Sequence, residues 1–316
     1  MIGMDDKIDI SYTTGLFNSE INQYGFAYSM PFYDDGWKFS VNTTKTDSDI
    51  GGTAADSDVE GASRSAGGNI SWSAIRQRNE SLYLDAGLAE VSSSSEVLGI
   101  TNTKEKLQNL TLNAVWQKTD TSGINLLSVS ATKGLGISEN DPSLKSRAFG
   151  STSAASMRFT FVREQITDID GFTIYGLANG QYAFDDVLSL GEYSAGGSTI
   201  GRGYEPAEIS GEHGFAMMVE PRYVDTIEKD DWMSFGGIFD AYLLFAFADF
   251  ARAYENDRND GRGSFSESIT SAGLGVRLDF LNAGTLKLTY AKPLSKDVST
   301  YGEKKDRVLF DTAINF

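Results

Sequence analysis

The feature that most constrains this chain is a period-two alternation of apolar and polar residues, repeated in segment after segment. Tyr24, Phe26, Tyr28, Met30 and Phe32 are apolar, with Gln23, Gly25, Ala27 and Ser29 between them. Leu110, Leu112, Ala114 and Trp116 repeat the pattern, as do Met157, Phe159 and Phe161 against Ser156, Arg158 and Thr160. Leu274, Val276, Leu278 and Phe280 interleave with Gly273, Gly275, Arg277 and Asp279, and Val308, Phe310, Thr312, Ile314 and Phe316 alternate to the last residue. Successive strand side chains point to opposite faces, so this alternation dictates strands with one apolar and one polar face. About 14 candidate strands follow, at 5–15, 20–33, 36–46, 67–77, 81–91, 106–118, 123–133, 153–166, 171–184, 212–225, 235–254, 268–281, 284–294 and 306–316.

Length decides between the all-β architectures. A soluble sandwich uses strands of about five or six residues, and a solenoid would show a fixed repeat. Many of these strands run to roughly 10–13 residues, close to the 9–11 that cross a bilayer at a tilt. Short turns such as 33–36 alternate with longer polar stretches, of which Thr43 to Gly68 is read as the clearest loop. Short turns at one end and long loops at the other are the asymmetry of a transmembrane barrel, and aromatics near strand ends (Phe32, Trp37, Trp72, Trp116, Tyr290) suit interfacial girdles. The mean hydropathy of −0.27 is then an average over two opposite faces rather than a sign of solubility. The longest apolar run, Ala241 to Ala248, is far too short for a membrane helix.

Composition narrows the chemistry. The 316 residues include no cysteine and a single histidine, His213, which excludes thiolate and multi-histidine metal centres and cysteine nucleophiles. With 27 basic and 44 acidic residues the net charge is −17, which argues against a nucleic-acid partner. No phosphate-cradling motif is present, and no cofactor, metal site or catalytic residue is expected.

One stretch departs from the strand pattern: Gly196-Gly197-Ser198-Thr199-Ile200-Gly201-Arg202-Gly203-Tyr204-Glu205, then Ser210-Gly211-Glu212-His213-Gly214 and Glu220 in the following strand. Glycine this dense lets a loop fold back on itself and bring an arginine fork close to a carboxylate. The order Gly-Gly-x4-Arg-Gly-Tyr, then Ser-Gly-Glu-x-Gly, resembles the TpsB transporters, the ShlB/FhaC/HecB hemolysin secretion/activation proteins, within a wider superfamily that holds the BamA and TamA assembly factors. Phe247-Ala248-Asp249-Phe250-Ala251, Gly273-x-Gly-x-Arg277 and Tyr290-Ala291-Lys292-Pro293-Leu294 extend the resemblance. Two positions depart from the family pattern: Gly201 stands where Val or Ile is usual, and Ala251 where glycine is usual.

The resemblance implies an outer-membrane antiparallel β-barrel of 16 strands, of which residues 1–316 would supply about 14. The secretory signal, POTRA domains and first strands would precede the portion given. A long loop at 186–211 would insert into the lumen, with Arg202, Gly203 and Tyr204 at its tip and Arg202 meeting Asp249. Residues 212–225 put Glu220 and Arg222 opposite the apolar Phe215, Met217 and Val219, and 268–281 puts Arg277 and Asp279 opposite Leu274 and Val276. These four are lumen-wall candidates, since Arg or Lys on the lipid face costs about 2–4 kcal/mol at the midplane. Phe310, Ile314 and Phe316 resemble the C-terminal signal read by the outer-membrane assembly machinery. The implied function is secretion of a large exoprotein, with that passenger, membrane lipid and the assembly machinery as partners. An assembly factor of the BamA/TamA kind is the alternative, and a passive porin a more distant one.

Overall fold

A computed structural model describes residues 5–14, 21–33, 36–50, 59–137, 141–228, 234–235, 237–256, 264–281 and 283–314. The strands are β1 (Lys7–Thr14), β2 (Ile21–Tyr33), β3 (Trp37–Ile50), β4 (Val59–Arg76), β5 (Glu80–Val97), β6 (Ile100–Asp120), β7 (Gly123–Gly134), β8 (Ala155–Ile166), β9 (Phe172–Ala183), β10 (Tyr193–Ala195), β11 (Ile209–Gly211), β12 (His213–Thr226), β13 (Phe239–Glu255), β14 (Phe265–Phe280), β15 (Gly284–Pro293) and β16 (Arg307–Ile314). β1–β9 and β12–β16 make one 14-stranded sheet in sequential order, and β10 and β11 pair as a separate ribbon. Sequential order is what short connections between antiparallel strands produce. Among the described residues no helix is long and apolar enough to cross a membrane.

Burial runs opposite to that of a water-soluble sheet. In β12, Phe215, Met217 and Val219 are exposed, while Ala216, Met218 and Glu220 between them are buried. In β13 the buried residues are Phe245, Phe247, Asp249, Ala251 and Ala253. Large apolar side chains thus occupy the open face and charged, small and aromatic ones the covered face. A surface of this kind is stable only in an apolar solvent.

The expected loop from Thr43 to Gly68 is overturned. β3 continues to Ile50 and β4 begins at Val59, with Thr43↔Ala66 and Ser48↔Gly61 in register. β5 and β6 likewise run beyond the expected 81–91 and 106–118. The reason is that alternation reports the solvent on each face, not the backbone ladder. Where a hairpin rises past the apolar belt, both faces meet water, Ser, Thr and Asp are free to occupy both, and the strand signal vanishes although the hydrogen bonds continue.

Two compact units divide the chain. The first comprises 1–116, 128–158 and 182–192; the second comprises 117–127, 159–181 and 193–316. On the face opposite its apolar stripe, the first unit carries a ladder of small polar groups. Ser40 bonds Asn69, Asn69 Nδ2 donates to Ser71 Oγ (3.3 Å), Ser71 bonds Asp85, and Asn113 Nδ2 donates to Asp85 Oδ2 (3.2 Å). In the second unit the covered face of β12–β14 packs beneath the glycine-rich stretch, with Tyr193, Ile200, Tyr204, Ile209, Met218 and Ile269 in one buried cluster.

Candidate functional site

The site is built within the second unit, where residues 193–211 return onto the covered face of β12, β13 and β14. Its frame is the ribbon β10–β11, in which Tyr193 pairs with Gly211 and Ala195 with Ile209. Between them the chain reverses tightly: Gly197 N–H donates to Tyr204 O (3.2 Å) and Tyr204 N–H donates to Gly201 O (2.8 Å). Glycine is required at two points of this tip. Gly201 sits at φ +77° and a Cβ there would meet Ile269 Cδ1 at 2.7 Å; at Gly203 a Cβ would meet the Pro293 nitrogen at 2.7 Å. With this backbone, a side chain at either position would have to displace Ile269 or the β15 main chain.

That approach delivers Arg202 to a buried carboxylate. Asp249 Oδ2 accepts from the Gly201 amide (3.1 Å), the Arg202 amide (3.0 Å), Arg202 Nε (3.3 Å) and Ser271 Oγ (3.1 Å), and Oδ1 accepts from Arg202 Nη2 (3.1 Å). Arg202 Nη1 donates to Glu220 Oε2 at 2.7 Å, and Arg222 Nε donates to Glu220 Oε1 at 2.7 Å. Relative exposure is 2% for Arg202, 1% for Asp249 and 5% for Glu220. Charges so deeply buried persist only when paired and hydrogen-bonded, and the fork geometry of arginine satisfies both carboxylates at once.

The guanidinium has a floor as well as walls. Arg202 Cζ lies 3.4 Å from the centroid of the Phe247 ring and 6.0 Å from that of Phe245. Phe247 and Phe245 are the register partners of Gly273 and Gly275, and each ring lies across its partner glycine, where a Cβ would meet it at 2.6 and 2.3 Å. The glycines of β14 let the rings lie flat against the sheet, and the flat ring presents its face to the cation.

Tyr204 and Arg307 anchor the far side of the tip. The Tyr204 hydroxyl accepts from the Ser295 and Lys296 amides (both 3.2 Å) and lies 3.3 Å from Lys296 O. Arg307 Nη1 donates to the Tyr204 carbonyl, and Nη2 meets Glu205 Oε2 at 3.0 Å. At the ribbon, the buried Tyr193 ring lies against Gly214, its hydroxyl donates to Asn179 Oδ1 (2.8 Å), and burial pushes the phenol up to about 12.

The remaining candidates lie as follows. Arg222 has its Cζ 3.9 Å from the Tyr175 ring centroid and its Nη1 3.7 Å from Glu164, so it carries the charge cluster outward along the wall. Arg277 and Asp279 pair with each other at 3.0 Å on β14 and make no bond to the Arg202 cluster. Phe310 and Ile314 lie on the exposed face of β16, opposite Leu288 and Gly284; Phe316 lies outside the described residues. Several participants carry no signal in the sequence: Met218, Ser271, Arg307 and the pair Ser295–Lys296; Phe247 lies in the matched segment 247–251, but nothing there gives it a role. The single histidine, His213, is buried and stacks on Tyr254 with ring centroids 4.8 Å apart. Glycine at alternate positions of β14 is the one trace that could have found the Phe247 floor. Among the described residues no group of side chains is arranged to hold a metal ion.

The family model of the haemolysin secretion/activation protein ShlB/FhaC/HecB matches residues 1–278. The chain belongs to this ShlB/FhaC/HecB family. CdiB from Escherichia coli has the same fold, with a TM-score of 0.72 at 14% identity over 95% of this chain and 54% of that one. CdiB from Acinetobacter baumannii gives 0.66 at 16% identity over 98% and 53%. BamA from Haemophilus ducreyi lacking POTRA domains 1–3 gives 0.67 at 16% over 98% and 65%. No curated protein matches the sequence. This ShlB/FhaC/HecB member therefore has the transmembrane β-barrel fold and is an outer-membrane protein, and it spans about half the length of the CdiB chains it resembles.

Proposed function

We propose that this chain is the membrane-embedded part of a two-partner secretion transporter, which passes a large exoprotein of the hemolysin or adhesin type across the outer membrane through its lumen. The observation that carries the reading is the buried cluster of Arg202, Asp249 and Glu220, extended by the half-buried Arg222, which ties a glycine-rich tip to strands β12 and β13. Buried ion pairs add little net stability compared with apolar packing, but breaking one is costly and their geometry is specific. They suit a segment that must rest in one position and be able to leave it. Residues 186–211 are, in this reading, the inserted loop of the lumen, and Arg202–Asp249 its lock.

The protein works as a conduit and not as an enzyme, driven by capture and folding of the passenger outside the cell. Partners are the secreted passenger, the lipid around the exposed apolar face, and the assembly machinery, for which Phe310, Ile314 and Phe316 form the recognition signal. An assembly factor is the second reading, favoured by the BamA likeness over 98% of the chain.

The test is secretion by the full-length transporter expressed with its passenger. Arg202→Asp and Asp249→Arg should each lower secretion, and the double charge swap should restore part of it, with barrel folding checked by heat-modifiable gel mobility. No recovery in the double variant, with all barrels folded, rejects the lock. Unchanged passenger secretion in a strain lacking the transporter, with loss of other barrels from the membrane, would favour the assembly factor.

A further inference from the structure

The first unit carries a second feature, on the outward face of its tall hairpins. Lys45, Arg64, Lys104 and Lys106 line one cleft of about 510 Å³, beside the loop residues Asp141 and Leu144. Four cations in one cleft stand out in a chain where 44 acidic residues outnumber 27 basic ones. Lys45 and Arg64 are direct register partners across β3 and β4, so two like charges share one face side by side. That arrangement is unfavourable unless an anion comes between them.

The carboxylates nearby are largely committed. Glu105 Oε1 accepts from the Ser146 amide and hydroxyl, both at 2.7 Å, and Asp141 Oδ1 accepts from the amide and hydroxyl of Ser143. Asp47 pairs with Lys45 at 2.7 Å and Glu90 with Lys106 at 2.8 Å. Among the described residues Arg64 and Lys104 make no ion pair within 4.0 Å, Arg64 acting on Glu90 only at longer range. Directly above, Glu60 is the register partner of both Asp49 and Glu96, so positive charge is confined to one level of the hairpins.

That level can be placed. Trp37 and Trp72 are also direct partners on β3 and β4, stacked with ring centroids 5.7 Å apart, where β3 begins and close to the short connection from β4 to β5 at 76–80. Between the tryptophans and the cations the same face shows Phe39, Ile70, Leu88, Leu110 and Leu112, all exposed, with Leu84 level with Trp72. Lys45 and Arg64 stand eight positions along their strands from Trp37 and Trp72. At about 3.3 Å per residue that is roughly 26 Å of strand, or about 20 Å along the membrane normal at a barrel strand's tilt, against an apolar band of about 25 Å. The tryptophans mark the short-turn, periplasmic edge of the band, and the cations stand at its outer edge.

We propose that this cleft binds the phosphate groups of a phosphorylated glycolipid of the outer leaflet, with Lys45, Arg64, Lys104 and Lys106 as ligands. An anionic headgroup at this depth supplies the counter-charge that Arg64 and Lys104 lack and eases the crowding of Lys45 against Arg64, while the acyl chains cover the Phe39–Ile70–Leu88–Leu112 surface below. The site is separate from the Arg202 cluster and does not depend on whether the protein secretes or assembles.

The test is binding of bisphosphorylated lipid A to the full-length protein in detergent, followed by native mass spectrometry, with dephosphorylated lipid A and inorganic phosphate as parallel probes. One basic residue near an anionic lipid surface is worth about a fivefold change in affinity, so the triple variant Lys45→Gln/Arg64→Gln/Lys106→Gln should bind on the order of a hundredfold more weakly. Arg64→Gln alone should bind about fivefold more weakly and keeps the test open if the triple variant misfolds. Dephosphorylated lipid should bind far less well than the bisphosphorylated form, and inorganic phosphate should compete only at high concentration. Equal binding of the two lipids by the wild type, or unchanged binding by folded variants, would overturn the proposal. Full competition by low phosphate would replace the glycolipid with a free anion.

Discussion

Replacing Asp249 by asparagine tests the charge cluster with almost no change of shape. The carboxylate accepts five hydrogen bonds, four on Oδ2 and one on Oδ1. Asparagine can turn its single oxygen toward the Oδ2 position, but its amide then points two N–H groups at Arg202 Nη2, itself a donor. The negative charge that balances Arg202 is also gone, leaving Glu220 shared between Arg202 and Arg222. Removing one partner of a buried pair costs about 3–5 kcal/mol; because Glu220 remains, the lower end, about 3 kcal/mol, is the expected loss. At about 1.4 kcal/mol per factor of ten this raises the population of the released tip roughly 150-fold. Hydrogen–deuterium exchange of the protein in nanodiscs reads that population directly, since the Gly201 and Arg202 amides donate to Asp249 itself. Peptides covering 196–205 should exchange about 100-fold faster in Asp249→Asn, with β4, β5 and β14 unchanged. Unchanged exchange over 196–205 would refute the reasoning, and so would an equal acceleration in every strand, because the carboxylate would then support the sheet rather than the tip.

Gly201→Val should release the same peptides by about 1–3 kcal/mol, because a β-branched residue is strained at positive φ and its Cβ meets Ile269, as the same exchange experiment will read. Tyr204→Phe leaves the Ser295 and Lys296 amides without their acceptor and should cost about 1–3 kcal/mol, seen as faster exchange confined to 293–298 and 203–205. The Tyr193 phenol titrates near 12 in the folded protein, above a free tyrosine near 10. Its contribution is therefore complete below pH 10 and lost as pH rises to 12; tyrosinate absorbance of the wild type minus Tyr193→Phe should show the missing titration only at the upper end of that window. Gly273→Val should drive the Phe247 ring off the sheet and displace Arg202; if the proposed conduit holds, conductance fluctuations in planar bilayers should rise while gel mobility still reports a folded barrel.

Much of this architecture is written in local pattern. The alternation in 20–33, 106–118 and 268–281 needs only neighbouring residues, because each strand faces two solvents and every second side chain must suit each. That is why all 14 strands of the sheet were visible, and why the face carrying Glu220 could be told from the face carrying Phe215 and Val219. The same signal failed over Thr43–Gly68, where both faces meet water and the sequence has nothing to alternate between.

What the chain alone determined was fold class, the strand faces, the family and the identity of the tip that departs from the pattern. Tertiary structure decided everything that depends on contacts between residues distant in sequence. Tyr204 and Lys296 are separated by 92 positions, and no periodicity links them; the pairing of Arg202 with Asp249 is anticipated through the family resemblance, but its sharing with Glu220 and the Phe247 ring is not. Phe247 becomes a floor for a cation only because register sets it over Gly273 on the next strand. Likewise, Lys45 and Arg64 are unremarked basic residues until pairing sets them side by side at one depth. Faces are encoded residue by residue, because solvent acts on each side chain separately; sites require register and loop closure, which no single segment contains.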